Sequence, residues 1–510
     1  MAQGSAASKH REFASIGTKL TKLLVEEIRP DNKRLGRFYE PLFLLEALNV
    51  AASDTAIAGI PEDYTSYVYK LAHVCDNSKG GSTVTSFMVL RGDDGADSIH
   101  YWFAVNQRSE YELDETKTYV ERLLKKVAQL STASQRQSTS QRQSPTQKQS
   151  PHDALLRDVL QFNTPRLAFY LKNLHFRTKE CLERCTKDSS AEETLIADVI
   201  RRMQSALKHD PTTLKPHDGK MIVELSELVI TELNKIHGTP VGILLMERAR
   251  EGRMPGYRSQ ECWSDLQHTM SRIRAYSQSI VYFLNAWKTW PSLFEDFEVS
   301  FIASSMPVPP LTRVKRETAE KIVGRMTNDA RVMGTFKIYV KTLQKFNLNE
   351  RIRSNDKKQP IVHSEVLLLD WLNKTEGGVN SQRFFNEWMY IGASKPTCRL
   401  CHYYFESYDT VVEHRPSHRN IYNTWRVPDP LPSQGKEGIR ARDDMMDRVL
   451  ERIRRDAFAL VQQRVRSSLK RDDSNSFSDP KTFTQDEIVG DAGREDVVEI
   501  IPGLSRLSVS

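Results

Sequence analysis

The chain has no run of about eighteen apolar residues, which excludes a membrane-spanning helix. It opens MAQGSAASKHREF, without the apolar centre of a secretory signal, and Ala2 excludes the N-myristoylation pattern. The expectation is an intracellular protein, cytoplasmic or nuclear, with no membrane contact. Six cysteines in 510 residues are too few for a disulfide framework. In a reducing compartment, a close Cys-x-x-Cys pair more often binds metal or performs redox chemistry. Large apolar residues are missing from STASQRQSTSQRQSPTQKQSP, so 131–151 reads as a disordered Ser/Gln/Arg linker. The tail 471–510 is rich in Ser, Asp and Glu and reads the same way.

What is present amounts to 39% hydrophobic and 27% charged residues with a formal charge of +7, the signature of a polar globular protein. A chain of this length outgrows one core, so a multidomain α+β protein is expected. Residues 1–130 form an N-terminal mixed or helical region: YEPLFLLEALNVAA reads as helix, VTSFMVLRG and SIHYWFAVN as strands. Residues 152–305 read as a helical domain. Its clearest element carries Trp263, Leu266, Met270, Ile273, Ile280, Leu284 and Trp287 on one helix face, a core stripe rather than a ligand box. Cys181 and Cys185 read as buried thiols. Prolines in SSMPVPPLTR mark a boundary before a domain at 314–430. An Arg-rich helix at 436–470 follows; from Lys436 to Arg471 there are eleven Lys and Arg against six Asp and Glu. Its charge suits either phosphate neutralisation or a solvated face with internal ion pairs.

The chemistry is concentrated in 314–430. In HSEVLLLDWL, Pro360 lies upstream, Val366, Leu369 and Leu372 form an apolar face, and Gly377-Gly378 stops the helix, so His363 and Glu365 sit at its start. FFNEWMYIG then reads as a buried strand, and Pro396 opens a helix whose first turn carries Cys398 and Cys401. Two such helices behind one sheet bring both first turns together. One imidazole and two thiolates hold Zn²⁺ with a fourth position open to water, the pattern of a catalytic site. A carboxylate two residues after the histidine reaches that water without being a ligand.

His-x-Glu followed by Pro-Cys-x-x-Cys is a signature of zinc nucleobase deaminases. The run YIGASKPTCRLCHYYF…RPSHRNIYNTWRVPD resembles the predicted nucleic acid/nucleotide deaminase family found mainly in fungi, within the cytidine deaminase-like superfamily. The resemblance implies an α/β/α domain with a mixed, roughly five-stranded sheet, His363, Cys398 and Cys401 on zinc, and Glu365 as the catalytic proton shuttle. It also implies hydrolytic deamination of a cytosine- or adenine-type base in a nucleotide or single-stranded nucleic acid. Thr397 departs from the pattern by separating Pro396 from Cys398.

Two alternatives use the same region. Cys398, Cys401, His414 and His418 have the spacing of a C2H2 zinc-stabilised binding module, although Pro416 interrupts the helix that a finger requires. An inactive deaminase-fold scaffold is the other. Tyr403, Tyr404 and Trp388 are candidates for stacking on a base, with burial in a core as the alternative. Arg415, His418 and Asn420 are candidates for substrate contact or for bracing the site. Near the end of the chain, EDVVEIIPG resembles a SUMO-interacting motif, with Val497, Val498, Ile500 and Ile501 adding a strand to a protein partner.

Overall fold

Strand β1 (Thr85–Arg91) alternates in what it faces: Phe87 and Val89 enter one apolar core while Met88 and Leu90 enter another. It is buried on both sides, as the middle strand of a sheet with helices on each face must be. In this computed structural model β1 pairs antiparallel with β2 (Ile99–Val105) and with β4 (Tyr390–Ala393). β3 (Phe297–Ile302) runs parallel to β2, and β5 (Glu413–His414) parallel to β4, giving the mixed order β3-β2-β1-β4-β5. The structure describes residues 30–48, 59–92, 98–139, 150–185, 190–207, 210–215, 218–251, 262–308, 318–343, 348–353, 359–408 and 410–463.

The first core joins the sheet to α1 (Glu62–Cys75), α2 (Glu110–Thr139) and the helical region, whose longest member α3 (Cys262–Thr289) carries the expected stripe from Trp263 to Trp287. The second core lies across the sheet. It holds the helix Asn32–Leu48, α4 (Ser364–Lys374), α5 (Arg399–Ser407) and α6 (Gly435–Gln463). β4 approaches α1 so closely that a Cβ on Gly392 would stand 2.8 Å from Val68 Cγ1 and 3.0 Å from the Tyr69 amide nitrogen. Only glycine fits there without moving backbone.

The sheet crosses the boundary expected at 314, since β1, β2 and β3 all come from before it. Strand pairing between distant segments leaves no local sequence signature, so 1–130, 152–305 and 314–430 looked separable. Residues 131–139 continue α2 instead of beginning the linker, because a nucleated helix extends through Ser, Gln and Arg at little cost. Residues 140–149, the tail 471–510 and the SUMO-like segment lie outside the described residues. FFNEWMYIG is strand only from Tyr390; Asn386 and Glu387 take positive φ of 49° and 61° and turn the chain first. On α6, Met446, Val449, Ile453 and Ala457 are buried in the second core. Its arginines are partly neutralised within the protein, Arg452 by Glu406 at 2.6 Å and Arg442 by Asp443 at 2.7 Å. Among the described residues no helix is long and apolar enough to cross a membrane.

Two histidines in the helical half make the fold acid-sensitive. Burial, then the nearby Arg166 and Lys70, holds His73 well below the usual imidazole range, and burial with Arg274 holds His237 at about 4. Both must stay neutral in the fold but take up protons freely once unfolded. These two histidines should therefore cost nothing above about pH 6.5 and destabilise the fold as pH drops from there towards 4, His73 by at most about 1.4 kcal/mol per pH unit and the half-exposed His237 by less. Urea denaturation from pH 7.5 to 4.5 checks this, and a flat midpoint across that range contradicts it.

Candidate metal centre

The first turn of α4 is held by residues far away in sequence. His363 occupies the N-cap position with extended backbone (φ −76°, ψ 154°) but makes no capping bond of its own. Instead the Ser364 amide donates to Asn106 Oδ1 at 2.8 Å, and Asn106 Nδ2 donates to the Gly81 carbonyl at 2.8 Å. Ser364 Oγ meets Ser86 Oγ at 2.7 Å. The start of α4 is thus tied to the ends of β1 and β2, and one orphan helix amide is satisfied by a buried carboxamide.

The second helix starts differently. Cys398 is the N-cap of α5, and its sulfur accepts from the Cys401 amide at 3.5 Å. Thr397 forms a parallel bridge to Ser417, and its carbonyl accepts from the His418 amide at 3.1 Å. The residue that departs from the signature is absorbed in that bridge, and the thiols keep their place on the first turn.

The two turns meet. Cys398 Sγ and Cys401 Sγ are 3.4 Å apart, and His363 Nδ1 lies 3.6 and 3.3 Å from them. A tetrahedral zinc with ordinary bond lengths needs edges of about 3.8 Å between sulfurs and about 3.6 Å from nitrogen to sulfur. The observed triangle is within a few tenths of an ångström of that, so the donor set and its spacing fit a metal ion. These three residues are the group able to hold one among the described residues. Glu365 is buried beside them at 4% exposure, hydrogen-bonded by the Cys401 thiol and by Ser364 Oγ at 3.4 Å.

The electrostatics favour a cation. Burial opposes charge on His363, but the Cys398 thiolate outweighs it and raises the imidazole pKa. Burial likewise opposes ionisation of Cys398, yet the thiol of Cys401 and the His363 charge together hold it well below the thiol range. Cys401 is pushed well above that range by burial and by the neighbouring Cys398. Three ligands compete over protons that a dication would displace.

The C2H2 set does not assemble. His414 lies on β5, where Nδ1 donates to the Arg415 carbonyl at 2.8 Å and Nε2 meets His402 Nδ1 at 3.3 Å. His418 Nδ1 accepts from the Asn420 amide at 2.9 Å. Both rings are held by strand and loop, where a finger needs one continuous helix.

Two of the three stacking candidates are core residues, and Trp388 is half-buried against the first core. Tyr403 is buried with its hydroxyl on Asp456, and Tyr404 packs against Trp425 with ring centres 6.2 Å apart. Trp388 sits across the sheet against Tyr64, ring centres 4.7 Å apart. Arg415 braces: Nη1 donates to the Ala393 carbonyl at 3.2 Å and the guanidinium lies 4.0 Å over the Tyr69 ring. Asn420 braces too, its carbonyl accepting from the Arg399 amide at 3.0 Å. Sequence reasoning missed Asn106, Ser86 and Tyr422. The half-buried Tyr422 ring lies between His418 and His363, with centres 5.7 and 6.3 Å away. Nothing near Asn106 in the sequence signals its reach; only the folded sheet delivers it.

Residues 362–429 match a family model described as OTT_1508_deam:-like deaminase. The match holds all three metal-capable side chains and Glu365, and leaves β1, β2 and β3 outside. No curated protein and no solved structure matches the chain.

Proposed function

We propose that the protein is a zinc-dependent hydrolase that removes the exocyclic amine of a cytosine- or adenine-type base, presented in a nucleotide or in single-stranded nucleic acid. The observation that carries this is the convergence of His363, Cys398 and Cys401 on one point, with the buried Glu365 carboxylate beside them. His363, Cys398 and Cys401 would hold the zinc, which would supply a water that ionises near neutral pH. Glu365 takes a proton from the attacking water and passes protons to the ring nitrogen and to the departing ammonia. Water and the amino base become ammonia and the oxo base, with no oxidant required. Tyr422, half-buried next to His363, offers the face on which a base can stack. Asn106 and Ser86 fix the helix turn that aims Glu365.

The test is zinc per mole of purified full chain in wild type, His363→Ala and the double variant His414→Ala/His418→Ala, combined with ammonia release from cytidine, adenosine, their monophosphates and single-stranded oligonucleotides. One zinc in wild type and in the double variant, none in His363→Ala, and ammonia from at least one substrate is the expected result. Metal lost only from the double variant would overturn the assignment and restore the finger.

A further inference from the structure

At the end of the sheet away from the metal group, a cleft of about 1240 Å³ opens between β1, β2, the turn before β3 and the end of α4. Glu365 and Trp371 share α4, six residues and about 9 Å of helix rise apart, so the cleft is separate from the metal group. One wall is a ladder of rings: His100 to Trp102 with centres 4.7 Å apart, and Trp102 to Trp371 at 4.0 Å. All three are half-buried and line the cleft. Exposed carboxylates of Glu295, Asp296 and Glu376 line the rim.

The cations there are fewer. Arg91 is exposed, whereas Arg383 is spent on its own turn, donating to the Gly378 carbonyl at 2.8 Å and to Thr375 Oγ1 at 3.1 Å. The opposite wall is shaped at a conformational cost. Asn386 holds a positive φ of 49°, and Phe385 and Trp388 near it pack on Tyr64 with ring centres 5.8 and 4.7 Å away. The volume exceeds the range of about 300–1000 Å³ usual for a small-molecule pocket and suits a length of polypeptide.

We propose that this cleft binds an arginine-bearing segment of a partner protein, the guanidinium lying against the tryptophan ladder and pairing with the rim carboxylates. Guanidinium is the planar, weakly hydrated cation for which an indole face flanked by carboxylates is suited. Among the described residues, three rim carboxylates beside one exposed arginine disfavour a nucleic acid strand.

Fluorescence anisotropy of the full chain with a labelled Arg-Gly repeat peptide, its Lys-Gly counterpart and a single-stranded oligonucleotide tests this. The arginine peptide should bind at least about threefold tighter than the lysine peptide. The triple variant Glu295→Gln/Asp296→Asn/Glu376→Gln should weaken it about tenfold or more. Trp371→Leu should erase the preference for arginine. The urea midpoint should not change in the triple variant, which confirms its fold without reference to zinc and keeps this test independent of the deaminase reading. Equal binding by wild type and the triple variant, equal binding of the two peptides, or tighter binding of the oligonucleotide would each overturn the proposal.

Discussion

Asp76→Ala will destabilise the protein by about 3–5 kcal/mol, the usual consequence of removing one member of a buried ion pair. Asp76 is 1% exposed and accepts at 2.8 Å from Arg166, which comes from the helical region and is itself buried. Its other bonds come from Thr83 Oγ1 at 2.6 Å and Ser394 Oγ at 3.1 Å. Truncation leaves the Arg166 cation enclosed without its counter-charge and removes one of the bonds that hold Ser394, four residues before Cys398. The urea midpoint should fall steeply, and zinc affinity should fall with it. Asp76→Ala/Arg166→Met should recover much of the stability, because the enclosed charge is then gone. A double variant no better than the single one would show that the pair is not the source. The pH dependence separates this pair from the histidines. Burial opposes charge on Asp76, but Arg166 and Lys395 hold its carboxyl below the ordinary range. Its contribution is complete above the unfolded value of about 3.9 and is lost only as pH falls through the lower, folded one. The histidine effect begins earlier, at about 6.5.

Asp76 also shows why the candidate site was more legible than the fold around it. His363, Cys398 and Cys401 lie at the starts of two short helices, where spacing, proline and glycine carry strong local information, and the structure brings all three together. β1 and β2 were legible from their alternation. The pairing of β1 with β4, some three hundred residues further on, was not, since no local pattern encodes a long-range partner. The same limit hid Asn106 and Ser86, which act on α4 only through the sheet. Aromatic residues near the thiols misled for another reason. Composition cannot say which face of a nine-residue helix is free, and α5 packs between α4 and α6, so Tyr403 and Tyr404 are both buried. FFNEWMYIG looked like one strand because its residues are strand formers. Asn386, a residue type that tolerates left-handed backbone, was the signal that the strand starts later.

The largest expected effect on chemistry belongs to Glu365→Gln. The side chain keeps its volume but loses the charge and the ability to take a proton, and at 4% exposure no solvent carboxylate can replace it. On whichever base the wild type deaminates, kcat should fall by about 10²–10⁴, the range expected for a positioned general acid–base group. KM should change little, because a group that works mainly in the transition state contributes little to ground-state binding. Zinc should remain near its wild-type stoichiometry, since the three ligating atoms lie on His363, Cys398 and Cys401. Metal analysis alongside steady-state kinetics separates the two roles that a buried carboxylate can have here. Loss of zinc together with activity would make Glu365 a support for the ligand triangle. Retained zinc with a collapsed kcat places it on the proton path, and undiminished turnover would remove it from the chemistry altogether.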